Sequence, residues 1–312
     1  MSCASAEQLH ARLMRSATPQ QRLHAPILEA AGVELWLKRE ELRHPMLGGN
    51  KWPKLLGHLR VAGERTLVSF GGAWSNHLHA LAAAGQELGL HTVGIVRGER
   101  ETAMLADCRA MGMRVLPVSY SEYRQRDSAE WVQDFLMASG LTDAYVIPEG
   151  GGGAEGLNGF AALAGELAAA NPPDTVYALA MGTGTTAAGL AAHLPATAQV
   201  WGFPVLPLLG IEAVLAEQLQ AFPQAAAMAI WHDQTDKSYG KLSPGLRQFL
   251  EKFELAHSIA LDPVYTVKLL QALYSLAEQG RLPRGTRIVA LHSGGLQGRR
   301  GHALPFDAAL AA

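Results

Sequence analysis

The sequence predicts an α/β protein built on open, mostly parallel sheets, and three observations carry that reading. From about residue 66 strand-like and helix-like runs alternate, which calls for parallel strands joined by right-handed crossovers. Glycine-rich turns stand where strand runs end, at Gly71-Gly72, Gly150 to Gly153, Gly182 to Gly184 and Gly294-Gly295. The alternation comes in two blocks, interrupted near residues 150–160 by one of those glycine clusters, which suggests two α/β domains.

In order, Thr66 to Phe70 is a short buried-strand run ending in glycine, and Ser75 to Leu88 is an alanine-rich helix closed by Gly89. His91 to Val96 is a strand, Ala103 to Ala110 a helix ended by Gly112, and Arg114 to Val118 a strand. Ser128 to Ser139 is helical with Gly140 as its stop, and Ala144 to Ile147 is a fourth strand. The second block reads as helix Leu157–Ala170, strand Asp174–Ala180, helix Thr186–Leu194 and strand Gln199–Pro204; a later strand, Arg287–Leu291, runs into His292-Ser-Gly-Gly295. Apolar periodicity and glycine stops define each boundary. In such sheets ligands bind beyond the carboxyl ends of the strands, which is where the glycine turns fall.

Composition narrows the function classes. With 48% hydrophobic and 17% charged residues among 312, the chain is too apolar for disorder. A formal net charge of -2 gives no pull toward nucleic acid or an anionic membrane. Cys3, expected in a loose terminus, and Cys108 are too few for a disulfide scaffold and read as reduced bystanders. Residues 1–16 hold no apolar stretch of signal-peptide length and no run approaches a membrane span, so a soluble, cytoplasmic protein is expected.

Four segments carry chemistry. In Leu47-Gly-Gly-Asn-Lys51-Trp-Pro-Lys54, glycines before a lysine let a planar group approach the backbone, and a lysine whose pKa is lowered attacks aldehydes; alone, the segment favours a surface turn with two solvated lysines. Gly71-Gly-Ala-Trp74-Ser75-Asn76-His77 stands at a strand-to-helix junction suited to a carboxylate, although a plain N-cap is the better reading of that stretch alone. His77 and His79, two apart on a helix, do not face one another and argue against a metal site. Met181-Gly182-Thr183-Gly184-Thr185-Thr186 can wrap a phosphate with backbone N–H groups, lacks the Walker lysine and matches the dinucleotide fingerprint only loosely; a tight βα turn serves it equally well. Asp262-Pro-Val-Tyr265-Thr266 and His292-Ser293-Gly-Gly295 put hydroxyls beside turns near sheet edges and are uninformative singly.

Together and in this order, these segments resemble the fold-type II pyridoxal-phosphate enzymes, and within them the group of 1-aminocyclopropane-1-carboxylate deaminase and D-cysteine desulfhydrase. The resemblance runs from Leu35-Trp-Leu-Lys-Arg-Glu40 to the His292 segment. It implies two open-sheet, three-layer α/β domains of the tryptophan-synthase-β type, with pyridoxal 5'-phosphate in the cleft between them. The smaller domain would span residues 54–160, and the larger, cofactor-holding one residues 1–53 with 161–312. A homodimer acting on a small amino acid is likewise implied.

The same resemblance distributes roles. Lys51 holds the cofactor as a Schiff base and moves the α-proton. Asn50 and Asn76 lie near the cofactor, and Gly182, Thr183, Gly184, Thr185 and Thr186 hold its phosphate with help from Lys54. Ser75 and the backbone around Asn76 and His77 receive the substrate carboxylate, with Trp74 shaping the pocket. Tyr239 and Tyr265 border the reacting carbon, and Thr266 and Ser293 face the pyridine nitrogen. The sequence departs from the family pattern at Pro53, where arginine is usual, and at Trp74, where glutamine is usual; the stretch from Glu101 to Met113 lacks the customary asparagine turn.

Thr266 stands where the cyclopropane deaminases carry glutamate. A carboxylate there favours a protonated ring nitrogen and a stronger electron sink, whereas hydroxyls suit α,β-elimination, in which the leaving group carries the electrons away. The reading is elimination from a small β-substituted amino acid, D-cysteine first. Its rivals are ring opening or racemisation, a nucleotide-binding dehydrogenase using the Gly182 turn, and a cofactor-binding protein with little catalysis. Fold resemblance alone does not decide among them.

Overall fold

The computed structural model describes residues 2–232, 234–235 and 240–306, with side chains from residue 4 onward. Helix α1 (Ser2–Leu13) is followed by β1 (Gln20–Leu23), α2 (Pro26–Ala31), β2 (Glu34–Lys38) and α3 (Lys51–Ala62). The first alternating block is β3 (Thr66–Gly71), α4 (Asn76–Leu88), β4 (Thr92–Arg97), α5 (Ala103–Ala110), β5 (Arg114–Val118), α6 (Tyr120–Tyr123), α7 (Ala129–Ala138) and β6 (Ala144–Ile147). The second begins with α8 (Gly153–Asn158), α9 (Ala161–Ala170), β7 (Val176–Met181), α10 (Thr185–His193) and β8 (Gln199–Pro204). It ends with α11 (Ile211–Leu219), β9 (Ala227–Ile230), α12 (Pro244–His257), α13 (Thr266–Glu278) and β10 (Arg287–Leu291). The chain divides into two compact units, residues 1–15 with 51–159 and residues 16–50 with 160–312.

The smaller unit carries a parallel four-stranded sheet in the order β5-β4-β3-β6. Val68, Phe70, Val93 and Ile95 form its core with Val118 and Tyr123, and half-buried Trp131 and Phe135 of α7 close over it. Alanines fill the buried side of α4, so that helix lies close on the sheet. Helices α3 and α8 approach more closely still. A Cβ on Gly57 would stand 1.7 Å from the Glu155 carbonyl oxygen, and one on Gly159 1.8 Å from that of Pro53. This crossing explains why the helix predicted over Leu157–Ala170 is broken: the chain leaves α8 at Asn158 and restarts at Ala161. Pro53, third residue of α3, is accommodated because first-turn N–H groups need no intrahelical partner.

The N-terminus departs from the sequence reading, which grouped residues 1–53 with the larger domain and left Cys3 in a loose end. Its backbone is helical from Ser2, and α1 packs with the smaller unit. Trp52 Nε1 donates to His10 Nδ1 at 3.3 Å, Arg60 pairs with Glu7 at 2.6 Å, and Arg12 with Glu87 at 2.8 Å. Short-range sequence patterns do not reveal these long-range partners.

The larger unit holds a six-stranded sheet in the order β1-β2-β10-β7-β8-β9. Every pairing is parallel except β1 with β2. Leu35, Leu37, Ala178, Phe203, Ile288 and Ala290 meet Leu250 of α12 and Leu269, Leu273 and Leu276 of α13 in one core. Strand β10, last in sequence, is central in space, so His292-Ser293 follows an inner strand and not the sheet edge expected. In each sheet the strand order reverses at one point: beside β3 in the smaller unit, between β7 and β10 in the larger. The carboxyl ends at such reversals are where open α/β sheets bind ligands, and Gly71-Gly72, Gly182 and His292-Ser293 begin there.

Candidate active site

In the larger unit the turn before Lys51 is built by close backbone contact. Gly49 has φ +77°, and a Cβ on it would stand 2.0 Å from the Ser293 carbonyl oxygen; glycine alone meets both demands. Gly49 N–H donates to the Glu40 carbonyl at 2.7 Å. Glu40 belongs to a buried, charge-balanced group with Lys38, Arg43 and Glu166. Arg43 Nε donates to Glu40 at 2.8 Å and its Nη2 to Glu166 at 2.8 Å, while Lys38 Nζ bonds both Glu166 and the Thr18 carbonyl. Mutual pairing is what makes such buried charges tolerable. On the other side of the turn, His292 bridges the Ala260 carbonyl (Nε2, 2.9 Å) and the Gly294 N–H (Nδ1, 3.3 Å).

Asn50, directly before Lys51, donates from Nδ2 to Thr186 Oγ1 at 2.7 Å. Thr186 lies in the first turn of α10, after Gly182-Thr183-Gly184, where Gly184 has φ +83°. Thr183 and Thr185 hydroxyls are 3.1 Å apart. The N-terminal N–H groups of α10 lack intrahelical partners and carry the positive end of the helix dipole, so this turn suits a phosphate. Tyr265 lies along it, its Cε1 3.4 Å from the Cβ position of Gly182.

Asp262 organises the next segment. Its Oδ1 accepts from Val264 and Tyr265 N–H at 3.1 and 2.6 Å, and Oδ2 from Thr266 N–H at 2.7 Å. This carboxylate caps α13 and fixes Tyr265 and Thr266 together. Thr266 Oγ1 is buried and has no hydrogen-bond partner among the described residues, a position that normally demands one. Ser293 is buried at the end of β10.

In the smaller unit Lys51 is the first residue of α3 and half-buried. Lys54, one turn on, is buried and donates to the Gly150 carbonyl at 3.0 Å. Burial, and secondarily the charge of Lys51, lowers its pKa well below the usual lysine value. Its partner is therefore a backbone carbonyl of its own unit, a role sequence reading did not assign. His58, again one turn on, bonds the Gly152 carbonyl through Nε2 and Tyr145 Oη through Nδ1, each at 3.0 Å. Burial lowers its pKa. Lys54 and His58 thus clamp the glycine loop after β6.

The Gly71-to-His77 loop caps α4. Ser75 Oγ accepts from Leu78 N–H at 3.2 Å, and a Cβ on Gly71 would collide with that hydroxyl at 2.5 Å. Thr102 Oγ1 pins the loop by donating to the Ala73 carbonyl at 2.5 Å. Trp74 is half-buried. Asn76 Oδ1 is buried and has no hydrogen-bond partner among the described residues. Ser69 Oγ donates to the Ile147 carbonyl at 2.8 Å, so it accepts from His77 Nε2 at 2.9 Å, which leaves His77 Nδ1 a buried, unpartnered acceptor. Burial, then the charges of Lys54 and Lys51, lowers the His77 pKa well below its ordinary value. His79 instead faces Asp107 at 3.5 Å, so the two histidines do diverge. Among the described residues no cluster suits a metal ion, and no helix is long and apolar enough to cross a membrane.

Tyr239 lies outside the described residues. The other candidates stand at the sheet reversals or on the turns beside them. Asp262, Thr102 and Glu40 are organising residues to which sequence reading gave no role; only Asp262, four residues before a helix start, left a capping signal. Pyridoxal phosphate fits what is present: an amine following a glycine turn, a threonine-rich helix N-terminus for phosphate, and the unsatisfied buried atoms Thr266 Oγ1 and Asn76 Oδ1 as polar contacts.

Known proteins agree. Residues 13–294 match the family described as "Pyridoxal-phosphate dependent enzyme". A putative 1-aminocyclopropane-1-carboxylate deaminase of Pyrococcus horikoshii is 29% identical over 289 residues, 86% of each chain. A D-cysteine desulfhydrase of Serratia proteamaculans is 29% identical over 309 residues, 91% of this chain and 92% of its own. The crystal structure of an ACC deaminase homologue superposes with a TM-score of 0.78 at 27% identity, covering 92% of this chain and 91% of that one. A hydrogen sulfide-producing enzyme from Fusobacterium nucleatum shares the fold, with a TM-score of 0.63 at 13% identity over 90% of this chain and 95% of its own. Nucleotide binding at the Gly182 turn gives way to these findings: the chain belongs to the pyridoxal-phosphate dependent enzyme family.

Proposed function

We propose that this protein catalyses α,β-elimination from a small β-substituted amino acid, yielding pyruvate and ammonia, with D-cysteine as the leading substrate. The observation that carries this reading is Thr266, a buried, unpartnered hydroxyl where ring opening would call for a carboxylate. The bound cofactor supplies an electron sink that makes the substrate's α-proton labile. The first-turn N–H groups of α4, with the Ser75 hydroxyl, take the substrate carboxylate, as a helix N-terminus favours an anion. Lys51 Nζ, at the start of α3, is the base that removes the α-proton. Thiol then leaves from Cβ with the bonding electrons, and the freed enamine hydrolyses. Tyr265, held against Gly182 by the Asp262 cap, borders the reacting carbon. Thr266 Oγ–H, a neutral donor, would face the ring nitrogen of the bound cofactor, which would keep the sink moderate and favour loss of a β-leaving group.

Pyruvate release from D-cysteine, L-cysteine, D-serine, β-chloro-D-alanine and 1-aminocyclopropane-1-carboxylate tests this. Elimination predicts pyruvate from at least one of the first four, and none after Lys51→Ala. Borohydride reduction and peptide mapping should place a pyridoxyl tag on Lys51. Turnover of the cyclopropane alone would overturn elimination, and a tag on another lysine would overturn the role of Lys51.

A further inference from the structure

We propose that Arg97 reads a second negative charge on the substrate, so that, beside D-cysteine, the site takes amino acids with an anionic group on the β-substituent and binds them more tightly. For the fate of the substrate this rests on the elimination reading above; the recognition itself rests on the carboxyl edge of the smaller sheet.

Arg97 is the last residue of β4, one step past Val96, which pairs with Gly71 of β3. It therefore stands level with the loop proposed to hold the substrate carboxylate. Its Nη2 lies 3.5 Å from the Cβ position of Gly72. Two tyrosine rings hold the guanidinium, Tyr123 at 5.6 Å and Tyr120 at 5.8 Å from their centroids. Such contacts restrain an arginine while leaving its N–H fork unsatisfied. Among the described residues no carboxylate or carbonyl accepts from Arg97. Glu149 is occupied by Arg126 Nε at 2.6 Å and by Tyr123 Oη at 2.9 Å, and Asp127 lies 3.7 Å from Arg126 Nη2. Both carboxylates are thus engaged by Arg126, and Arg97 is exposed to solvent.

The Thr102 bond to Ala73 and the Ser75 cap hold the loop on the same sheet edge. An amino acid with a neutral side chain brings one carboxylate, which the α4 N-terminus accommodates. A restrained guanidinium beside that loop suits a further sulfonate or phosphate, whose oxygens match its fork. O-phosphoserine and S-sulfocysteine have this chemistry. In elimination from either, the α-proton goes to Lys51 and the Cβ–O or Cβ–S bond breaks. Its electron pair departs on phosphate or thiosulfate, and water converts the enamine to pyruvate and ammonium. Arg97 would also favour the charge gathering on the departing group.

The test is binding to the holoenzyme, followed by calorimetry and cofactor absorbance. O-phosphoserine and S-sulfocysteine, in both enantiomers, are compared with serine and cysteine. The wild type should bind the anionic member of a pair at least about tenfold tighter. Arg97→Gln should bring that ratio close to one, and Arg97→Lys should retain part of it, with circular dichroism establishing that both variants fold. Equal binding of anionic and neutral members by the wild type, or an unchanged ratio in Arg97→Gln, overturns the proposal. An intact preference without pyruvate sustains it and sinks elimination instead.

Discussion

Gly49 concentrates the chemistry of the Lys51 turn in one missing side chain. Its left-handed backbone and the Ser293 carbonyl 2.0 Å from its Cβ position each exclude a side chain, and nothing flexible is there to yield. Gly49→Ala should destabilise by about 3 kcal/mol or more, since strain and backbone overlap add, and should weaken cofactor binding because Asn50 and Lys51 follow directly. Urea unfolding with cofactor absorbance measures both; a variant matching the wild type in midpoint and cofactor affinity would refute the close approach. Thr266 illustrates the converse case, a hydroxyl that the fold buries and leaves unpaired. The residue type was legible in a motif, but its burial was not.

At the scale of elements, helix starts carry the site. Ser75 caps α4 and Asp262 caps α13, while α3 and α10 begin at Lys51 and Thr185. Asp262 satisfies three backbone N–H groups inside the larger unit. Asp262→Ala should lower stability by roughly 2–3 kcal/mol, the range for a lost cap that leaves buried donors unpaired, and should lower turnover because Tyr265 and Thr266 lose their common anchor. Asp262→Asn, which keeps an acceptor, should lose less. Denaturation midpoints order the three proteins, and equal losses in Ala and Asn would refute the capping role.

At the scale of the molecule, two sheets each reverse strand order once, and the candidate residues gather at those reversals. The smaller unit buries three histidines, His58, His77 and His79, and burial lowers the pKa values of His58 and His77. Above the ordinary histidine value, about 6.5, neither state binds these protons and stability is flat. Below it the unfolded chain takes up protons that the folded unit refuses, so stability falls with pH until the lowered folded values are reached, by up to about 1.4 kcal/mol per pH unit per histidine. Urea unfolding should therefore show a loss of up to about 2 kcal/mol between pH 6.5 and 5.5, and His77→Gln should shrink it. A flat profile across that window would refute the buried neutral histidines.

Local periodicity and glycine punctuation were enough to mark the alternating elements, because each strand-helix repeat buries one face and ends in a turn that needs glycine. Ala103–Ala110, Arg114–Val118, Ala144–Ile147, Gln199–Pro204 and Arg287–Leu291 could be bounded from sequence alone. The motif order around Lys51, Ser75, Gly182, Asp262 and Ser293 likewise pointed to the cofactor, since each motif is a run of adjacent residues. Tertiary structure decided what adjacency cannot encode: that β10 lies inside its sheet, that α1 packs with the smaller unit, and that Lys54 spends its amine on Gly150. It also decided that Glu40 and Thr102 brace the turns and that, among the described residues, Arg97 has no carboxylate partner. Each of these depends on pairing between residues far apart in sequence, where hydrogen bonds and close backbone contacts are set by the fold and leave no local pattern.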